Sequence, residues 1–517
     1  MEREKLSKLN LGNMARKGLK FSFSVFAAFF CVALAAQSQD ADRLTKLRLA
    51  QGFEDSGEWE RAVTLYEDLY KVESENHQIV DGLQRCYTQI KEYDKAVDII
   101  LSWLELHPED ANFAIKLGGL YYDSGKESAA DSVWNAVLSS NHNNVQLYRV
   151  VANEFMEHRL YERCIRTYLD GREISKNYAQ FADELGSIYV ALQQYTSATK
   201  EYIRFVKSAA EQVPFVQSRL STFIIRPEGL KSATEVLNVE VDNLPNNIGL
   251  RRLYAWLLME DRKYAAALEQ YRIIDRISNS NGNELFNFAQ RLFQENVPAV
   301  AAKAFKEVIE EHKNSLFLPF ARFGYARAIE ELSNQTTENT THSSYSEAIQ
   351  LYESIVGTYP NPDLTMQALF RIGVIKFEKL FDLDGALDAF NQIKKFPQKS
   401  NILYEASLKI GEVQIAKNNL VEARQEYIRL INVPVVLYQY QAVFKLAELS
   451  YFEARFDSAL SLLKRFNSNL NTDLTNDALQ LQYFIQENNS STPQALKEFS
   501  EADLLMRRQK YLKSMTV

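Results

Sequence analysis

Residues 117–134 of the chain read LGGLYYDSGKESAADSVW and contain two small residues, Gly118 and Ala130, each followed by a large aromatic side chain. Apolar residues recur here at three- and four-residue spacing, which is the pattern of amphipathic α-helices. We expect two such helices, which approach each other at the small residues while Tyr121 and Trp134 fill the space beside them. One pair of helices cannot bury such a face alone, so we expect similar pairs to stack.

The same pattern returns every 34 residues through the first part of the chain, where Ala62, Ala96 and Ala130 keep this spacing. Three further columns with the same period carry large apolar residues: Phe53, Tyr87, Tyr121 and Phe155; Leu49, Leu83, Leu117 and Val151; Tyr66, Ile100, Trp134 and Tyr168. A constant period over several columns indicates a repeat array.

On these residues the chain resembles the tetratricopeptide-repeat family, whose period is also 34 residues. The resemblance implies an all-α fold, a right-handed superhelical solenoid of stacked antiparallel helix pairs with about twelve repeats. We expect a regular array of five repeats over residues 37–212.

A divergent array is expected to follow over residues 213–490, where the period slips. It resembles the divergent repeats of envelope assembly proteins and of Tol-Pal coordinating proteins. The polar stretch 333–344 is predicted to be a loop inserted between two helices. Residues 491–517 are predicted to form a C-terminal capping helix, with a basic partner-binding tail as the alternative.

The N-terminal residues 1–36 have the parts of a signal peptide. A basic stretch ends at Lys20, an apolar run covers residues 21–36, and Ala33 and Ala35 fit a cleavage pattern. We expect cleavage near Ala35 or Ala36 and export to the periplasm, with Met14 as an alternative start. An uncleaved anchor is the other hypothesis, although the run is short against the ~20 residues of a spanning helix.

Charge and motifs argue against several classes of function. Residues 37–517 carry 53 basic and 65 acidic side chains, so we expect no nucleic acid as partner. Phosphate-binding and nucleophile-elbow motifs are missing from the sequence. No two histidines share a helix face, which predicts surface histidines and no metal site. We read the acid pair Glu330-Glu331 as part of a solvated face, and we expect no catalytic residue and no cofactor.

The resemblance also implies where partners bind, because the family uses the concave face lined by the first helix of each repeat. Its groove positions are 2, 5, 9, 12 and 13 of the repeat. Carried over to this sequence, they give nine partner-binding candidates: Gln51, Glu54, Arg85, Gln89, Tyr122, Asp123, Arg149, Asn153 and Met156. Amides, charges and apolar groups are mixed in this set, which would suit an extended peptide or a partner helix.

The prediction for the function is a non-enzymatic protein–protein interaction scaffold of the bacterial cell envelope, with one or more protein partners. One alternative is an assembly factor for outer-membrane or surface proteins that associates with an outer-membrane protein complex. Another is a glycan-binding or hydrolytic module that uses a cleft in the solenoid.

Cys164 is 34 residues beyond Ala130 and so takes the small-residue position of the fourth repeat. Cysteine behaves as a small apolar residue when buried. Cys86 lies two repeats away, too far for a disulfide. We therefore expect Cys164 to be a buried free thiol with a packing role.

Overall fold

The structure, a computed structural model, describes residues 42–335, 341–359, 361–397, 400–466 and 473–517. The predicted signal peptide lies outside these residues. The fold is 81% helical, its 27 helices form consecutive packed pairs, and the described residues contain no strand. The all-α fold of paired helices expected from the repeat is therefore confirmed. No helix in the described part of the chain has the length and apolar character needed to cross a membrane.

The chain divides into two compact units, one ending at Val236 and the other beginning at Leu237. Unit 1 contains α1 (42–55), α2 (Trp59–Tyr70), α3 (His77–Gln89), α4 (Tyr93–Leu106), α5 (Ala111–Asp123), α6 (Glu127–Ser140), α7 (Val145–Glu157), α8 (Tyr161–Ser175), α9 (Ala182–Ala191), α10 (Tyr195–Ser208) and α11 (Val213–Ile224). The boundary between the units falls within α12 (Pro227–Asn243).

Unit 2 continues with a second series of pairs. Its helices are α13 (Ile248–Glu260), α14 (Tyr264–Ser278), α15 (Asn283–Gln294), α16 (Pro298–Glu311), α17 (Leu318–Gln335), α18 (Thr341–Thr358), α19 (Pro362–Val374), α20 (Leu383–Ile393), α21 (Asn401–Lys417), α22 (Leu420–Leu430), α23 (Val436–Phe452), α24 (Phe456–Leu463), α25 (Asp473–Ser491), α26 (Pro493–Arg507) and α27 (Tyr511–Ser514). A π-helical turn, Ile375–Lys379, follows α19.

The two helices of a pair meet where a glycine of the first faces an aromatic ring of the second. A Cβ added at Gly118 would overlap the indole of Trp134, and that indole donates a hydrogen bond of 3.0 Å from Nε1 to the carbonyl oxygen of Ile115. The same arrangement joins Gly186 to Tyr202, Gly373 to Phe390 and Gly411 to Tyr427. The close approach predicted from the opening stretch is therefore present in both units.

The turns of unit 1 keep the period as strictly as the core does. Five residues at the turn between the helices of a pair have a positive φ, and they are spaced by 34: Gly57, Lys91, Gly125, Arg159 and Gln193. Asn76, Asp110 and Asn144, also 34 apart, accept backbone hydrogen bonds at the N-termini of α3, α5 and α7. The next position in this series, Tyr178, cannot cap a helix, and α9 begins only at Ala182.

The buried columns follow the sequence prediction with one exception. Ala62, Ala96, Ala130 and Cys164 are fully buried, and Cys164 is a free thiol. Burial raises the pKa of the Cys164 thiol to about 12, which fits a packing role. Leu49 is instead 51% exposed, because α1 is the first described helix and no earlier pair covers it.

The predicted polar loop 333–344 is shorter than expected. The helix α17 continues to Gln335 and α18 begins at Thr341. Ser333 is buried and donates to the carbonyl oxygen of Ile329 at 2.8 Å, so this serine is accommodated inside a helix. Tyr345 donates to Asn334 Oδ1 at 2.8 Å and ties the two helices together at this end.

The C-terminal segment forms two helices where one capping helix was predicted. The first of them, α26, packs against α25 and also reaches α23 and α21, which are the first helices of two earlier pairs. Tyr451 donates a hydrogen bond of 3.0 Å to Asp503 on α26. The chain thus ends on the face formed by first helices.

Replacement of Gly118 by alanine should destabilise α5 and α6. The new methyl group would have to displace Trp134, and overpacking of this kind costs about 1–3 kcal/mol, partly offset by the better helix propensity of alanine. We expect a net loss of about 1–2 kcal/mol, measured as faster amide hydrogen exchange in the two helices.

Gly52→Ala is the matched control, because Gly52 lies inside α1 with nothing within 4 Å of its Cβ position. It should stabilise α1 by about 0.5–1 kcal/mol. Equal effects of the two substitutions would show that close packing against Trp134 is unimportant.

Candidate functional site

A groove of about 390 Å³ runs along the first helices of unit 1. Side chains from α1, α3, α5 and α7 form its walls, because the first helices of successive pairs lie beside one another on this face. We call it the unit-1 groove, and its lining consists of Glu54, Trp59, Gln84, Arg85, Thr88, Gln89, Lys116, Gly119, Leu120, Asp123, Glu154, Glu157 and His158.

Paired charges hold the end of the groove nearest α1. Glu54 accepts hydrogen bonds from Tyr66 at 2.9 Å and from Nε of Arg85 at 2.6 Å. Arg85 also pairs with Asp81, which pairs in turn with Lys116 of the next first helix. Burial tends to raise the pKa of Asp81, but its hydrogen bond to Lys116 and the two cations outweigh burial and hold that pKa below its usual value.

A histidine lies between two carboxylates at the other end of the groove. Nδ1 of His158 is 3.1 Å from Oδ1 of Asp123, and its Nε2 is 3.3 Å from Oε1 of Glu154. Only 13% of the His158 side chain is exposed. Gly119 makes room for this cluster, because a Cβ there would overlap the Glu154 carboxylate.

The hydrogen bond to Glu154 raises the pKa of His158; burial opposes this rise, and the charges of Asp123 and Glu154 add to it. The cluster thus favours the imidazolium. This histidine departs from the expectation of surface histidines.

The structure brings four of the nine predicted partner-binding residues into the unit-1 groove. They are Glu54, Arg85, Gln89 and Asp123. The other five lie elsewhere on or near this face. Gln51 is exposed on α1, and the ring of Tyr122 lies 5.2 Å from that of His158 without lining the groove.

The last three candidates serve contacts within the array. Arg149 pairs with Glu184 on the next first helix at 2.9 Å, and Asn153 accepts a hydrogen bond of 2.8 Å from Tyr168. Met156 is half-buried against the core. The partner-binding role of all nine residues remains a prediction, since no partner is present.

Sequence reasoning missed Lys116, Glu154 and His158, which do not occupy the five groove positions of the family. A signal did exist, because Glu154 and His158 are four residues apart and therefore share one helix face. Asp123 precedes His158 by 35 residues, close to the repeat period, which is what contact between successive first helices produces.

Unit 2 carries a ladder of alternating charges on its own first helices. Lys409 lies 2.8 Å from Glu378 and 2.9 Å from Glu412, and Lys445 lies 3.1 Å from Glu412 and 2.8 Å from Glu448. Burial tends to raise the pKa of Glu412, but Lys445 and Lys409 outweigh it and lower that pKa. Each charge in the ladder thus has opposite charges beside it.

The reading of Glu330 as part of a solvated face is wrong. Its side chain is buried, accepts a hydrogen bond of 2.9 Å from Tyr352, and forms an ion pair with Arg371. Arg371 lies 41 residues further along the chain, and a buried carboxylate needs such partners. Among the residues that the structure describes, no group of three His, Cys, Asp or Glu side chains could hold a metal ion.

The raised pKa of His158 predicts how stability depends on pH. The folded state binds the proton more tightly than the unfolded state, whose histidine has a pKa of about 6.5. The contribution of His158 is therefore complete below about pH 6.5 and is lost as pH rises through the higher pKa of the folded state. His158→Gln should cost about 1–2 kcal/mol near pH 6 and less near pH 8.5.

Hydrogen exchange of α5 and α7, converted to opening free energies at both pH values, would measure this effect. A histidine resonance that titrates above pH 6.5 should also disappear from the NMR spectrum of the His158→Gln protein. Replacement of the exposed His142 by glutamine is the control. A loss for His158→Gln that is the same at both pH values would contradict the assigned cluster.

Comparisons with known proteins agree with the helix pairs described above. Two family models, both described as tetratricopeptide repeat, match residues 47–111 in unit 1 and residues 367–399 in unit 2. A comparison with the curated proteins finds no match.

Solved structures similar to this chain share little sequence with it. A Naa15/Naa10 structure with bound HypK-THB is 12% identical, covers 92% of this chain and 80% of its own, and has a TM-score of 0.27. Yeast Tom70 is 14% identical, with 91% and 99% covered and a TM-score of 0.31. The APC/C hetero-tetramer Cut9-Hcn1 is 12% identical, with 84% and 95% covered and a TM-score of 0.29. The two family matches, one in each unit, support the assignment of this chain to the tetratricopeptide-repeat family.

Proposed function

We propose that the protein is a non-enzymatic scaffold of the bacterial cell envelope that binds a peptide or protein partner in the unit-1 groove. The observation that carries this proposal is the groove itself, which four successive first helices line with charged and amide side chains. Proteins of this repeat family bind protein partners in general.

The chemistry of the groove favours an extended partner with polar groups. Exposed Gln89 can both donate and accept hydrogen bonds, so it can pair with a peptide backbone. Arg85 keeps 44% of its side chain exposed although it pairs with Glu54 and Asp81. Its guanidinium has further N–H donors for a partner carboxylate or carbonyl.

Site-specific photo-crosslinking in cells tests this proposal. A photoreactive residue at Gln89 should give a discrete protein adduct, because the side chain points into the groove. The same residue at Asp98, which is exposed on the second helix α4, should not give this adduct. Arg85→Glu should weaken the Gln89 adduct by about fivefold, since it reverses one charge of the groove. Equal adducts at both positions, or none at either, would contradict the proposal.

The place of action remains a proposal that rests on the N-terminal sequence. Basic residues up to Lys20, the apolar run 21–36 and the small residues before Gln37 support cleavage and export to the periplasm. The purified mature protein should therefore begin near Ala36 or Gln37, as N-terminal sequencing would show. An intact N-terminus in the membrane fraction would favour the anchored alternative.

Salt and urea washes of the membrane fraction would test the assembly-factor alternative as part of the same fractionation. A protein docked to an outer-membrane complex sediments with membranes until it is washed off. A free periplasmic scaffold appears in the soluble fraction without washing.

A further inference from the structure

A second groove lies at the C-terminal end of unit 2. Two cavities of about 460 and 440 Å³ meet there, and Phe444 and Asp477 line both of them. The first cavity opens between α21, α23 and α25, and the second between α23, α25 and α26. We call the joined cavities the C-terminal groove.

Large apolar side chains cover much of this groove: Phe370, Leu408, Leu437, Phe444, Leu474, Leu481, Phe484 and Phe499. Leu437 and Phe499 are more than half exposed, at 56% and 52%. A partner side chain placed between such residues would remove apolar surface from water on both sides, which favours association.

The cations that line the groove are already neutralised within the chain. Lys409 and Lys445 belong to the charge ladder with Glu412, and Arg507 lies 3.4 Å from Glu448. An anionic ligand would therefore have to break existing ion pairs. The remaining acids Glu405 and Asp503 accept hydrogen bonds from Tyr438 and Tyr451.

Asp477 is the exception among the charged residues that line this groove. It is exposed at the junction of the two cavities and has no ion pair or hydrogen bond with any described residue. Gln441 lines the same groove, and its buried Oε1 likewise lacks a donor within the described part of the chain. A carboxylate and an amide oxygen can only accept hydrogen bonds, so both require donors from elsewhere.

Charge complementarity therefore points to a cationic donor next to an apolar group. We propose that the C-terminal groove binds a protein segment in which a lysine or arginine neighbours a large apolar side chain. The cation pairs with Asp477, and the apolar side chain lies between Leu437, Phe444 and Leu474. This adds to the interaction role proposed above a second surface with its own ligand chemistry.

Short fluorescent peptides test the proposal on the full-length chain as processed in cells. The set combines Lys, Glu or Ser at one position with Phe or Ala at its neighbour, in a Gly-Ser background. By fluorescence anisotropy, Lys-Phe should bind more tightly than Ser-Phe and Lys-Ala, and Glu-Phe should bind weakest. Asp477→Lys should weaken Lys-Phe by about fivefold or more and should make Glu-Phe the better ligand.

Glu487→Lys is the matched control, because Glu487 is exposed on the same helix outside the groove. It should leave the order of the peptides unchanged, and Leu437→Ser should weaken the Phe peptides more than the Ala peptides. The proposal is overturned if no peptide binds, or if Asp477→Lys does not change the order.

A concentration-dependent dimer that Asp477→Lys dissolves would also overturn the proposal, since a second copy would then occupy the groove. Crosslinking at Gln89 in unit 1 is an independent measurement. Failure of one test therefore does not imply failure of the other.

Discussion

The contact between a ring of the second helix and a small residue of the first sets the geometry of each helix pair. Trp134 on Gly118 and Tyr427 on Gly411 show it in the two units, and no Cβ could be present at either glycine without moving the ring. The short distance between helices fixes how each first helix is rotated. That rotation decides which side chains point into a groove and which pack into the core.

Sequence reasoning captured what depends on this contact alone. The period places Ala130 and Cys164 in the same environment, and both are fully buried. It also carried cap and turn positions that could have been read in advance, such as Asn76 and Asp110. These features repeat because each pair meets the same neighbours, so a column of the repeat predicts burial without a structure.

Contacts between successive first helices were much harder to predict. Glu330 finds Arg371 at 41 residues and His158 finds Asp123 at 35, so no single offset identifies such partners. Long side chains reach sideways from the helix, and the slips of the period in unit 2 change which residues lie opposite one another. The same limit explains why only four of nine groove candidates line the groove, since a position in the repeat does not say whether a neighbour has already paired with the side chain.

The packing of α26 has a consequence for how the C-terminal end of unit 2 unfolds. In a simple repeat array each pair touches only its neighbours, so the last pair can fray by itself. Here α26 contacts α25, α23 and α21 together, and Leu496 is buried in the same core cluster as Tyr427 and Ala478. Loss of α26 would expose part of each of these helices at once. The chain end therefore acts as a clasp that makes local opening a cooperative event over several repeats, where independent fraying would otherwise begin.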